Sequence, residues 1–278
     1  NTEGTGNTAI GREALEANTT ADNNTAVGLK ALEANTTGES NVAMGRDALL
    51  NNTTGGGNTA VGTCSLYENT TASGNSALGQ FSLFKTTTGQ RNNAFGREAL
   101  CSNTIGNYNN AMGYEALCKN TTGENNTAVG HASMFNNTTA NNNTAVGYLS
   151  LCANTTSGGN SAFGSEALKT NTGSNNTAIG FCSLIANTTA SNNTALGSKS
   201  LDTNTTGGNN TAVGHQSLFS NTIGASNTVV GKDALYKNTT GASNTAIGRG
   251  VLQCSTTASN NTAIGFCSLF ANTTGARN

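Results

Sequence analysis

Gly28-Leu29-Lys30-Ala31-Leu32-Glu33-Ala34-Asn35-Thr36-Thr37-Gly38-Glu39-Ser40-Asn41-Val42-Ala43-Met44 is one complete unit of a repeat that runs the length of this 278-residue chain. Its first glycine recurs at Gly11, Gly28, Gly45, Gly62, Gly79, Gly96, Gly113, Gly130, Gly147 and Gly164, then at Gly180, Gly197, Gly214, Gly231, Gly248 and Gly265. Every interval is 17 residues except Gly164 to Gly180, which is 16 because Asn-Thr-Thr shortens to Asn171-Thr172 before Gly173. With that glycine as position 0, the unit has Ala or Ser at position 3, Leu at 4, Asn-Thr-Thr at 7 to 9, Gly or Ala at 10, and Asn-Thr-Ala-Val at 13 to 16. A period this strict overrides the length-based expectation of one or two globular domains.

Each unit is too small to bury an apolar face by itself, so burial requires stacking of successive units. Asn-Thr-Ala-Val reads as a short strand ended by the glycine, since Thr and Val favour extended backbone. Ala/Ser-Leu is a second short element, a strand or one helical turn. Segments such as Arg12-Glu13-Ala14-Leu15-Glu16-Ala17 have helical composition but are too short for an isolated helix. The expected fold is all-β: a parallel β-solenoid, or β-roll, of sixteen 17-residue coils rising ~4.8 Å each, a rod roughly 75 Å long. Its expected core is the column Ile10, Val27, Met44, Val61 at position 16, together with Leu15, Leu32, Leu49, Leu66 at position 4. Residues 1–278 read as a single continuous repeat array. It begins mid-unit at Asn1 and stops mid-unit at Asn278, as a fragment or processed part of a longer fibre would.

The polar columns follow from the same stacking. Asn18, Asn35, Asn52 and Asn69 at position 7, and Asn7, Asn24, Asn41 and Asn58 at position 13, predict vertical ladders in which each amide donates to its copy one coil away. Asn-Thr-Thr also satisfies the glycosylation sequon at Asn18, Asn35, Asn52, Asn69, Asn120, Asn137, Asn154, Asn187, Asn204, Asn238 and Asn272. A buried ladder and a glycan cannot both use one side chain. Ala9, Ala26, Ala43, Ala60 and Ala77 at position 15 alternate with position 16, so a core made by position 16 turns this small column outward, as an oligomer interface. The alternative is a thin coil with both columns in its own core.

Charge is sparse, with 13 Lys and Arg against 14 Asp and Glu and a net charge of −1. There is no basic field for nucleic acid and no apolar run long enough for membrane insertion. Most charges fall at positions 1, 2, 5 and 6, several as neighbours of opposite sign such as Arg12-Glu13, Arg46-Asp47, Arg97-Glu98 and Lys232-Asp233. Those positions form a solvated ridge. Tyr67, Phe84, Phe135, Phe219, Tyr236 and Phe270 share it, as do Tyr114, Tyr148, Phe181 and Phe266. The two histidines, His131 and His215, lie five coils apart, no carboxylate set recurs at fixed spacing, and Gly55-Gly56-Gly57 lacks the Lys-Ser/Thr of a phosphate loop. These features predict no enzyme, no cofactor and no metal. The seven cysteines contain no CxxC pair, so zinc is not indicated. Cys101 and Cys118 occupy one position in successive units and are a candidate disulfide, against a default of free thiols.

The Asn-Thr-Ala-Val/Ile-Gly units resemble the NxAxG-type repeats of trimeric autotransporter adhesin heads. They are more similar still to the Asn-Thr-Ala-Val-Gly arrays of phage and large-virus tail-fibre-like proteins and bacterial surface proteins. That resemblance covers essentially the whole chain. It implies an extracellular, cell-surface or virion-surface fibre used for attachment, associating with itself as a homotrimer or a head-to-tail filament, with a surface glycan or receptor as partner. Adhesin-head repeats are shorter than 17 residues, and no stalk or anchor motif accompanies these units. The competing expectation is an ice-binding or glycan-binding solenoid module. Against ice binding, only position 14 gives a clean threonine column.

Overall fold

The computed structural model describes residues 2–278 and has the all-β, parallel solenoid fold, with one three-residue strand in every coil and no helix. The chain divides into two compact units, Asn1–Asn141 and Asn142–Asn278. The first holds β1 (Thr8–Ile10), β2 (Thr25–Val27), β3 (Val42–Met44), β4 (Thr59–Val61), β5 (Ser76–Leu78), β6 (Asn93–Phe95), β7 (Asn110–Met112) and β8 (Thr127–Val129). The second holds β9 (Thr144–Val146), β10 (Ser161–Phe163), β11 (Thr177–Ile179), β12 (Thr194–Leu196), β13 (Thr211–Val213), β14 (Thr228–Val230), β15 (Thr245–Ile247) and β16 (Thr262–Ile264).

Within each unit, successive strands pair in parallel with like residues opposed, as in Thr8 with Thr25, Ala9 with Ala26 and Ile10 with Val27. The short unit does not disturb this register. Ser161 pairs Thr177 and Ala162 pairs Ala178, so the missing residue is absorbed in the corner before β11.

The interior reverses one sequence expectation. Ala26, Ala43, Ala60 and Ala77 point inward and are buried, while the position 16 residues beside them point out, as with Met44, Leu78 and Phe95. The core is therefore the leucine column packed against small residues. Leu32, Leu49, Leu66, Leu83 and Leu100 are fully buried, and position 3 adds inward Ala31 and Ala48 or Ser65 and Ser82. The buried serine hydroxyls donate within their own coil, Ser65 Oγ to the Gly62 carbonyl at 3.0 Å. The physical reason is width. A leucine already spans the interior, and close packing favours a small side chain opposite it, alanine in every coil but that of β14, where Val229 is buried in the same place. The alanine columns are thus core, not an oligomer interface; Ala9, in the first coil, is exposed.

The Ala/Ser-Leu segment is neither strand nor helix. It is two tight turns, closed by Ala31 N to Gly28 O at 3.5 Å and Asn35 N to Leu32 O at 3.2 Å. The intervening amides reach neighbouring coils in opposite directions: Lys30 N to Arg12 O at 2.9 Å, and Leu32 N to Ala48 O at 3.0 Å. This alternation holds Lys30 at φ 60° and Leu32 at φ 53°, and it recurs along the array. Left-handed backbone costs an L-residue about 1–2 kcal/mol. Full burial of a leucine contributes about 1.5–3 kcal/mol, enough to hold it there.

Glycine at position 0 has no such latitude. Gly96 has φ 139°, and a Cβ built on it would lie 2.5 Å from the Gly113 carbonyl oxygen of the next coil. Gly96→Ala is expected to destabilise the first unit by about 3 kcal/mol or more, read as a lower urea midpoint and as faster amide exchange at Gly96 and Gly113. Wild-type stability in this variant would refute the close-approach account.

Candidate functional site

The candidate sites of this chain are columns, and each is built by the stacking of one repeat position.

At position 7 the asparagine amide uses both hydrogens. Asn52 Nδ2 donates to Asn35 Oδ1 of the preceding coil at 2.8 Å and to the Gly55 carbonyl of its own coil at 2.9 Å. Asn35 reaches Asn18 at 3.2 Å, and Asn69 reaches Asn52 at 2.6 Å. Position 13 forms the expected side-chain ladder in several coils, as where Asn58 Nδ2 donates to Asn41 Oδ1 at 3.1 Å, and adds backbone donors to it. Asn24, Asn41 and Asn58 donate from the backbone N–H to Oδ1 of Asn7, Asn24 and Asn41, each at 2.9 Å. Their Nδ2 groups then turn to the position 10 carbonyls of the next coil, Asn24 to Gly38 and Asn41 to Gly55, both at 2.9 Å. The threonines beside the first ladder add a third contact of this kind, Thr36 Oγ1 to the Thr53 carbonyl at 3.0 Å.

These bonds decide the sequons. Asn18, Asn35, Asn52, Asn69, Asn120, Asn137, Asn154, Asn187, Asn204 and Asn238 are all buried, and only Asn272, in the last coil, is partly accessible. A glycan would replace one amide hydrogen and force the neighbouring coils apart. The ten buried positions are therefore ladder residues and not glycan acceptors in the folded chain.

Two ladder positions are broken. Thr86 and Ser255 stand where the other coils have asparagine, and both are buried. Asn69 Oδ1, Asn238 Oδ1 and Ser255 Oγ are left buried without a hydrogen-bond partner among the described residues. Asn103 Nδ2 approaches the Thr86 hydroxyl only at 3.5 Å. The short side chains cannot reach the oxygen below. Thr86→Asn and Ser255→Asn should each restore a rung and stabilise the fold by about 1 kcal/mol. Thermal melting measures this, and an unchanged midpoint for both variants would show the gaps to be energetically neutral.

The second candidate surface is the outward face of the strands. Positions 14 and 16 flank the buried alanine, and neither carries a charged residue in any coil. In the first unit Ile10, Met44, Leu78, Phe95 and Met112 are exposed, Ile10 to 60%. In the second unit Phe163, Ile179, Leu196, Val230, Ile247 and Ile264 are exposed on the outward side of that unit's own strands. The sequence reading missed this face because it placed the larger side chain inside. An exposed apolar stripe repeated coil after coil exceeds the scattered apolar residues of an ordinary surface.

The ridge holds the charges and most aromatics. Tyr67 stacks on Phe84 at 5.1 Å, Phe219 on Tyr236 at 5.0 Å, and His131 on Tyr114 at 5.3 Å. Arg97 lies over the Tyr114 ring at 5.6 Å and Lys119 over Phe135 at 4.7 Å. Adjacent charges pair, Arg97 with Glu98 at 2.8 Å and Arg46 with Asp47 at 3.2 Å; such exposed pairs contribute little stability. Glu13, Glu16 and Glu33 cluster beside a shallow depression, but Lys30 already bridges Glu13 and Glu33 at 3.3 and 3.1 Å. That ammonium neutralises the cluster from within. All seven cysteines are free thiols. Among the described residues no helix is long and apolar enough to cross a membrane.

Compared with known proteins, the chain matches no family model and no curated protein. Its in-register coils and asparagine ladders are those of a β-roll repeat.

Proposed function

We propose that the chain is a non-enzymatic structural segment of an extracellular or virion-surface fibre that serves attachment, and that its copies associate through the outward face of the strands. The observation that carries this reading is the uncharged apolar column at position 16, which recurs in every coil and is exposed or half-buried throughout. The resemblance of the units to adhesin-head and tail-fibre repeats agrees with it. Burying a half-exposed Leu, Ile or Phe contributes about 1 kcal/mol. The eight coils of one unit, facing eight of another copy, would offset an association cost of ~4–15 kcal/mol. The aromatic and charged ridge stays free for a surface glycan or receptor.

Light scattering on the purified chain tests this directly. An oligomer is expected, and Leu78→Lys with Phe95→Lys should reduce it to the 27.9 kDa monomer without loss of β structure, because both side chains point outward. A wild-type monomer would sink the association.

A second reading has one observation in its favour. Thr177, Thr194, Thr211, Thr228, Thr245 and Thr262 form an unbroken outward column in the second unit, and none of their hydroxyls has a partner within the chain. A rank of free hydroxyls beside a rank of aliphatic groups suits ordered water, and so an ice-binding module. Thermal hysteresis in a monomeric sample, abolished by Thr211→Lys, would favour this reading over the fibre; its absence would remove it.

A further inference from the structure

Cys101 and Cys118 both occupy position 5, in successive coils of the first unit, and no other cysteine has a copy at its own position one coil away. Their local backbones are alike. Cys101 N donates to Glu98 O at 3.4 Å, and Cys118 N to Glu115 O at 3.3 Å. Ser102 N donates to the Cys118 carbonyl at 2.9 Å, and Leu100 N to the Ala116 carbonyl at 3.0 Å, so the two segments run side by side in register. Coils paired in this way lie ~4.8 Å apart, inside the ~4.4–6.8 Å range of α-carbon separations that a disulfide spans. Both cysteines are partly exposed, so a small thiol reagent can reach them.

We infer that Cys101 and Cys118 are a thiol–disulfide site at which an exogenous disulfide of the glutathione class joins two successive coils covalently. The thiolate of one cysteine attacks one sulfur of the oxidised reagent, forms a mixed disulfide and releases one reduced thiol. The sulfur of the other cysteine, losing its proton, then attacks the protein sulfur of that mixed disulfide and releases the second. Two protein thiols are oxidised, and one reagent disulfide is reduced to two thiols.

The two sulfurs share a hydrogen bond, which favours a thiolate on one of the pair, while burial and Glu98 oppose charge on either. One cysteine of the pair thus attacks and the other resolves. The facing charges are Glu98, Glu68 and Lys85 at Cys101, with Glu115 and Glu98 at Cys118. Cys64 and Cys182 contrast with this pair. Burial raises both of their thiols, and each sits 4.0 Å from a carboxylate oxygen, of Asp47 and Glu166 respectively.

The test treats the full chain with oxidised glutathione, blocks remaining thiols with a maleimide and weighs the product. Two of the seven thiols are expected to become unreactive in wild type and in Cys152→Ser alike, with no glutathione retained. Cyanogen bromide cleavage at Met112, which lies between the two cysteines, should leave the flanking fragments joined until they are reduced. Cys118→Ser and Cys101→Ser should each retain a glutathione adduct on the cysteine that remains, because the resolving thiol is gone. Seven reactive thiols in treated wild type, loss mapped to other cysteines, or fragments that separate without reduction would overturn the site. The cleavage experiment needs only wild-type protein and stands even if a variant fails to fold.

Discussion

The carbonyl at position 10 of each coil is the node on which the structure depends. Gly38 O accepts one amide hydrogen from Asn35 of its own coil, at 3.0 Å, and another from Asn24 of the coil before, at 2.9 Å. Both donors sit in buried side chains, where an unpaired amide would cost about 1–3 kcal/mol. Loss of either asparagine leaves that carbonyl with a single donor and frees one coil from the other. The two ladders therefore fix the spacing and lateral register of successive coils together. A strand of three residues is too short to do so with its own backbone bonds. The leucine column then supplies bulk attraction to a stack whose geometry is already set.

Much of this was legible in the sequence because it repeats. Gly11 to Gly265 gives the period, the invariant asparagines announce ladders, and Leu32, Leu49 and Leu66 announce a core. What could not be read was parity. In Thr-Ala-Val, alternation says that Ala26 and Val27 face opposite ways but not which one faces in, and size suggested the wrong answer. The deciding fact is non-local: with Leu32 spanning the interior, the smaller Ala26 packs opposite it. The same limit hid the left-handed backbone of Lys30 and Leu32. No glycine or asparagine marks those positions, and the conformation is imposed by amides bonding to coils on either side. Thr86 and Ser255, by contrast, were visible as departures from the asparagine column, and their effect followed once burial was known.

The architecture separates holding from display. Interior positions 3, 4, 7, 10, 13 and 15 are nearly invariant because each satisfies a packing or hydrogen-bonding condition set by both neighbouring coils. Outward positions meet no such condition, and they vary: position 16 takes Val, Ile, Leu, Met or Phe, and the ridge takes charges, aromatics and cysteines. Any binding property of the chain is therefore a property of columns. A single substitution alters one rung of a surface and leaves its neighbours intact, so affinity for an extended partner changes in small steps.

The corner that absorbs the missing residue between Gly164 and Gly180 carries a further implication. Asn171 there still accepts the amide of Asn187 at 2.6 Å, and Gly173 still presents its carbonyl to Asn160 at 3.0 Å. The position 13 ladder also runs through the corner, Asn176 N donating to Asn160 Oδ1 at 3.0 Å, while the loop beside it changes length. That corner acts as an expansion joint. Chain can be lost there, and by the same geometry gained, without a shift of phase in the coils that follow, which makes it the place where an otherwise monotonous array can carry something different.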